Sequence, residues 1–192
     1  MIGRAIDELS AGDSAELSRV VSEEDIAEFV DAVGDHNPVH SDPVFAAATA
    51  FRGPIAPGIW TAGLISGVIG TRLPGPGSIY VTQDLHFLKP VRAGDTITAR
   101  VEVLEIVRER NRVRLQTICV NQRGEEVLAG EAWVLPPKSQ IVYAEDKSGA
   151  GELAFWALQP WAWAAQALSV WAILGLSVLA ACRPRLTSGG RR

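Results

Sequence analysis

The chain has 192 residues, a formal net charge of -4, 47% hydrophobic and 21% charged residues. That length supports one domain with a sizeable core plus a small appendage, and the acidic balance offers no basic field to recruit nucleic acid. The two cysteines, Cys119 and Cys182, lie far apart; they form neither a metal spacing nor a disulfide framework, and they suit a reducing compartment.

Met1 to Leu9 lacks an apolar run of signal-peptide length, so export by that route is not expected. Residues 1–137 read as a globular domain, 138–152 as a polar linker, 153–182 as an uncharged apolar helix and 183–192 as a basic tail without structure. Glu16 to Val21 can supply an early strand. Ser22 to Val33 is predicted as a helix: Ser22 caps it, acidic residues fill its first turn, and Ile26, Phe29, Val30 and Val33 line one face. Gly34 ends it, where a left-handed residue is easiest. A second short helix starts at Asp42-Pro43 and runs through Phe45 to Ala50.

The third helix, Gly58 to Gly70, carries Gly63, Gly67 and Gly70 among Leu64, Ile65, Val68 and Ile69. Each glycine costs about 1 kcal/mol relative to alanine. Such a helix is expected to be central and buried on most sides, its glycines admitting other backbone. Strands follow: 78–91, 95–108, 112–120 and 126–135, with turn signals at Ala93-Gly94, Glu109 to Asn111 and Asn121 to Gly124. Sequential strands with tight turns imply an antiparallel sheet, hence an α+β domain. Arg100, Arg108, Arg110, Arg112 and Arg114 read as the wet face of that sheet rather than a phosphate site.

Asp35, Asn37 and His40 sit together between the first two helices, and Asn37-Pro38 forbids either helix to run through. An Asp and a His on one rigid turn can converge on a water molecule, one taking a proton while the other supplies one, as general acid–base addition requires. Asn37 offers donor and acceptors, either to fix the loop or to meet a substrate carbonyl. Taken alone, the spacing reads nearer to a turn-capping Asp35 and a satisfied polar His40 than to an active site.

The run Phe29 to His40, with Gly34-Asp35-His36-Asn37-Pro38-Val39-His40 at its centre, resembles the signature of (R)-specific enoyl-CoA hydratases of the MaoC-like dehydratase family. Further blocks follow in order: Gly53 to Gly58, Leu73 to Tyr80, Gln83 to Val91, Gly94-Asp95 and Gly130 to Ala132. The resemblance spans roughly residues 13 to 136. It implies the hot-dog fold, an antiparallel sheet wrapped around a long central helix. It also implies that Asp35 and His40 form the catalytic pair, holding a water that adds to C3 of a trans-2-enoyl-CoA while C2 is protonated. Which of the two is the first base stays open, since coupled groups share their titration.

By the same resemblance, the Gly58 amide donates to the thioester oxygen as negative charge develops there, a task suited to a helix N-terminus. Relatives often carry His before this glycine; this chain has Pro57. Ser66 is a candidate substrate contact on the same helix, although core packing is its ordinary role. His36 and His86 read as structural. No metal or cofactor is expected, and a second copy of the chain is the expected partner, with sites near the dimer interface.

The tail is not covered by the resemblance. Leu153 to Cys182 holds four of the 6 tryptophans and no charge. Trp161 to Cys182 is long enough at about 1.5 Å per residue to cross a hydrocarbon core of about 30 Å. It reads as a candidate membrane anchor. Its Ala and Gln content, and arginines that would place the hydratase away from CoA, leave a non-inserting extension open. A cytoplasmic location, with or without that attachment, is expected. Competing activities are a 3-hydroxyacyl-carrier-protein dehydratase using the same residues in reverse, a hot-dog thioesterase, and a non-catalytic acyl-thioester binding subunit.

Overall fold

The computed structural model describes residues 1–144. The apolar segment 153–182, its expected helix and anchor, and the basic tail 183–192 lie outside the described residues. Among those described, no helix is long and apolar enough to cross a membrane.

The first helix, α1, covers Glu23–Val33. The Ser22 hydroxyl accepts from the Asp25 N–H, and the Asp25 carboxylate accepts from the Ser22 N–H. This reciprocal capping box satisfies donors that a helix start would otherwise leave open. Gly34 takes φ 74°, the left-handed conformation that ends the helix and turns the chain into the Asp35–His40 loop. Helix α2, Pro43–Ala47, is shorter than expected. Its Asp42 carboxylate accepts from the Val44 and Phe45 N–H groups, but past Ala48 the chain leaves the helix for a turn in which the Gly53 N–H reaches back to the Ala46 carbonyl.

Helix α3, Gly58–Thr71, is the central element. Trp60, Leu64, Ile65, Val68 and Ile69 are buried, so Trp60 belongs to the core. One expectation about this helix does not hold. A methyl group at Gly63 or Gly70 would meet nothing within 4 Å, and at Gly67 only the Leu17 side chain, at 3.3 Å. The stripe Ile59, Gly63, Ser66 and Gly70 is exposed, so within one protomer the glycines admit no backbone.

The sheet wraps this helix. Strands β2 (Ser14–Val20), β3 (Ile79–Gln83), β4 (His86–Phe87), β5 (Thr96–Val107), β6 (Arg112–Val120) and β7 (Glu126–Leu135) form six antiparallel strands in the order β2-β5-β6-β7-β3, with β4 also on β7. Ile97, Ala99, Val101 and Val103 of β5 and Val113, Leu115, Thr117 and Cys119 of β6 alternate inward onto α3. The period of two is what gives one buried and one wet face. Arg100, Arg112 and Arg114 lie on the wet face as expected, and Arg114 pairs there with Glu105 and Glu131. Arg108 and Arg110 instead occupy a single 3-10 turn between β5 and β6.

The expected strand 78–91 is broken at Asp84-Leu85, where the backbone crosses Gly130 so closely that a Cβ there would lie 1.9 Å from the Asp84 carbonyl oxygen. A two-stranded ladder joins β1 (Ile2–Gly3) to β8 (Ile141–Val142). The chain past Pro137 therefore still pairs with the N-terminal residues before Ala144, which the polar composition of 138–152 did not suggest.

Candidate active site

The loop between α1 and α2 is tied by its own backbone. The Asn37 side-chain oxygen accepts from the Val39 N–H at 3.3 Å, and the His40 N–H donates to the Asn37 carbonyl at 3.0 Å. Asn37 thus fixes the turn that carries both neighbours. Val39 is buried, which pins the loop onto the domain and draws His40 with it.

The His40 side chain is only 9% exposed, whereas that of Asp35 is 47% exposed. His40 Nδ1 lies 2.8 Å from the Ile55 carbonyl oxygen. A carbonyl can only accept, so Nδ1 carries the proton in that bond and the neutral ring keeps Nε2 as an acceptor. Nε2 faces the Asp35 Oδ2 at 3.6 Å. That separation is too long for a direct hydrogen bond, yet one water can touch both atoms at ordinary distances. The pair therefore offers a carboxylate and a tautomer-fixed imidazole to one small molecule.

His40 borders a groove of about 590 Å³ together with Val30, His36, Ser41 and Arg92. Gly58 borders a second groove, of about 390 Å³, with Phe51, Ile55, Phe87 and Leu88. Ile55 joins the two: its carbonyl receives the His40 ring and its residue lines the Gly58 groove. Three residues further on, Gly58 opens α3, where its N–H has no acceptor inside the helix. The ring of Phe87 packs onto Gly58 so tightly that a Cβ would approach it at 2.7 Å. Pro57 takes the position before the helix with φ -56° and ψ 133°, a geometry natural to proline.

Ser66 is not beside the Asp35–His40 pair in this protomer. It lies on the exposed stripe of α3, in a shallow groove with Phe29, Ile59, Tyr80 and Gln83 that neither Asp35 nor His40 lines. His36 is exposed, 3.9 Å from Asp31, and His86 is exposed, 2.9 Å from Asp84. Both are surface groups. Sequence reasoning missed Ile55, Phe87 and Arg92. The contribution of Ile55 is a backbone carbonyl, which no side-chain pattern reveals. Phe87 and Arg92 lie in strand and turn blocks whose residue types fit ordinary packing.

A family model for the MaoC like domain matches residues 9–126. The chain is 46% identical over 134 residues to a 3-hydroxybutyryl-CoA dehydratase of Methylorubrum extorquens, covering 70% of this chain and 85% of that one. It is also 46% identical over 131 residues to an (R)-specific enoyl-CoA hydratase of Rhodospirillum rubrum, covering 68% and 90%. Among solved structures, an unliganded R-hydratase from Pseudomonas aeruginosa superposes with a TM-score of 0.70 at 41% identity, over 75% of this chain and 94% of that one.

Proposed function

Because this chain belongs to the MaoC-like domain family, we infer that it adds water to trans-2-enoyl-CoA to give (3R)-3-hydroxyacyl-CoA. It is an enzyme, an enoyl-CoA hydratase and, in reverse, a 3-hydroxyacyl-CoA dehydratase. The observation that carries the chemistry is His40, its Nδ1 2.8 Å from the Ile55 carbonyl and its Nε2 turned to the Asp35 carboxylate.

A water touching both groups gives a proton to His40 Nε2 as its oxygen bonds to C3. The C2–C3 double-bond electrons move onto the thioester carbonyl, forming an enolate. The Asp35 carboxylate, 3.6 Å from Nε2, orients the water and favours the imidazolium that has just formed. The enolate oxygen takes a hydrogen bond from the Gly58 amide at the positive end of α3. Collapse of the enolate then draws the proton from Nε2 to C2, so one water has been added and the enzyme is restored. Asn37 serves by holding the loop. A contact of Ser66 with substrate would have to come from across an interface, because its groove is separate in the protomer.

A homodimer completes this picture. Strand β3 is an edge with Ile79, Tyr80 and Val81 exposed, and beside it runs the open stripe of α3 with Ile59 57% exposed. An apolar edge strand next to an uncovered apolar helix face is an association surface. A second copy meeting β3 and α3 would bury both.

Loss of enoyl absorbance with crotonyl-CoA tests the activity, and the same assay on a carrier-protein thioester tests the carrier. The wild type should consume crotonyl-CoA without releasing free thiol. No turnover, or thiol release, would overturn the assignment.

A further inference from the structure

We propose that Arg92 is a positioning residue that fixes the tautomer of His40 by holding the Phe51–Ile55 segment, whose Ile55 carbonyl anchors the imidazole. This rests on the reading of His40 as the proton acceptor. The guanidinium donates from Nη1 to the Pro54 carbonyl at 2.7 Å and from Nη2 to the Phe51 carbonyl. Its backbone N–H donates to the Asp95 carboxylate at 2.9 Å, which seats Arg92 in the turn before β5. Both ends of the fork are therefore spent on one short stretch of chain.

That stretch needs holding. Arg52 sits at φ 57°, a conformation most side chains avoid, and Gly53 at φ 156°. Gly53 lies against the guanidinium: a Cβ there would be 3.2 Å from Nη1. The turn brings the Phe51 and Pro54 carbonyls to the two Nη atoms of one guanidinium, whose planar fork of donors suits two acceptors at once. Pro54 brings no N–H of its own to the segment. Beyond it, the Ile55 N–H donates to the Val39 carbonyl at 3.3 Å, and the Ala56 N–H to the Val91 carbonyl at 2.8 Å. The Ile55 peptide is thus clamped between the catalytic loop on one side and the Val91-Arg92 backbone on the other. Its carbonyl oxygen is left aimed at His40 Nδ1, 2.8 Å away.

The consequence for the reaction is specific. An imidazole whose Nδ1–H is committed to a carbonyl presents a bare Nε2. If the Ile55 carbonyl swings away, Nε2–H becomes populated, and a protonated Nε2 cannot accept from water. Arg92 touches no reacting atom in this scheme and acts only through the segment.

Long-range proton–nitrogen NMR on histidine-labelled full-length protein reads the tautomer directly. Wild type should show His40 protonated at Nδ1. Arg92→Ala, and more mildly Arg92→Gln, should raise the Nε2–H form. With crotonyl-CoA, kcat should fall roughly 10- to 100-fold, up to the lower end of what loss of a general base costs, with KM within about twofold. Arg92→Lys, which keeps the charge but not the planar fork, should recover part of both signals. A folded Arg92→Gln protein with His40 still protonated at Nδ1 and wild-type kcat would overturn the proposal. Should His40→Ala stay fully active while Arg92→Gln still shifts the tautomer, the catalytic reading of His40 fails and the positioning role survives.

Discussion

Replacing Asp35 with asparagine removes one charge and almost nothing else. The side chain is 47% exposed, and its contact at the site is His40 Nε2 at 3.6 Å. Unfolding free energy should therefore stay within about 0.5 kcal/mol of wild type, as for an ordinary surface change. Catalysis should not. At about 4 Å, the attraction between an ionised carboxylate and an imidazolium is about 1 kcal/mol in water and about 4 kcal/mol at an effective dielectric of 20. Asp35 is half open to solvent while His40 is nearly buried, so an intermediate of roughly 2–3 kcal/mol applies. At about 1.4 kcal/mol per tenfold, loss of charge alone slows proton transfer to Nε2 by roughly 30- to 150-fold. Loss of water orientation carries the total into the range of about 10²–10⁴. Crotonyl-CoA hydration gives kcat/KM, and urea denaturation of the same sample gives stability. More than half of the wild-type kcat/KM would refute the reasoning. So would a fall in activity that merely follows a fall in stability.

Three further outcomes are expected. Gly130→Ala should lower unfolding stability by about 1–3 kcal/mol or more, because its Cβ would lie 1.9 Å from the Asp84 carbonyl oxygen, a backbone atom; a urea-measured change under about 0.5 kcal/mol would refute the crossing. Hydrogen bonds from the Arg19 guanidinium, then from the Ser22 N–H and hydroxyl, hold the Asp25 carboxyl down at about 2, below its ordinary value; the stabilisation it brings is present above about pH 4 and is lost as pH falls toward 2. The stability difference between wild type and Asp25→Asn should thus be largest near neutrality and shrink on acidification, and a difference independent of pH from 6 to 2 would contradict this. Val81→Asp, on the exposed edge β3, should convert a dimer to monomer in sedimentation velocity and lower hydratase activity with it; an unchanged sedimentation coefficient would exclude this edge as the interface.

The sequence carried a great deal of this site because its side chains announce themselves. Ser22, Gly34, Asn37-Pro38 and Asp42-Pro43 are punctuation with local causes: a cap, a left-handed end, a forced turn and a second cap. They place Asp35 and His40 between two helices by local signals alone. The strands were legible from their alternation, and the α+β arrangement from one apolar helix ahead of them; the hot-dog fold followed from the family resemblance. What stayed hidden was of two kinds. Long-range backbone partners, such as the Ile55 carbonyl for His40 and the Asp84 carbonyl over Gly130, leave no periodic trace. Exposure is the other. The glycines of α3 look like packing residues in a string of letters, yet Gly63 and Gly70 face open space in the protomer. A buried helix and a helix waiting for a second copy have the same composition.

That ambiguity bears on how the site is divided. His40 is embedded and its Nδ1 is held by backbone, so the chemistry proposed for it is built into the protomer. Asp35 stands half open, and the Gly58 groove is walled by Phe51, Phe87 and Leu88, apolar side chains that remain substantially exposed. Exposed aromatic surface beside an amide proposed to stabilise an enolate is poorly arranged on its own, because water competes for the same hydrogen bond and weakens every charge interaction nearby. Covering that surface would raise the strength of the Gly58 donor and of the Asp35–His40 pair together. A second copy seated on the α3 stripe would cover Ser66 as well. In this reading the proton acceptor is set by the fold of one chain, while the dielectric around it is set by association and by the acyl chain itself.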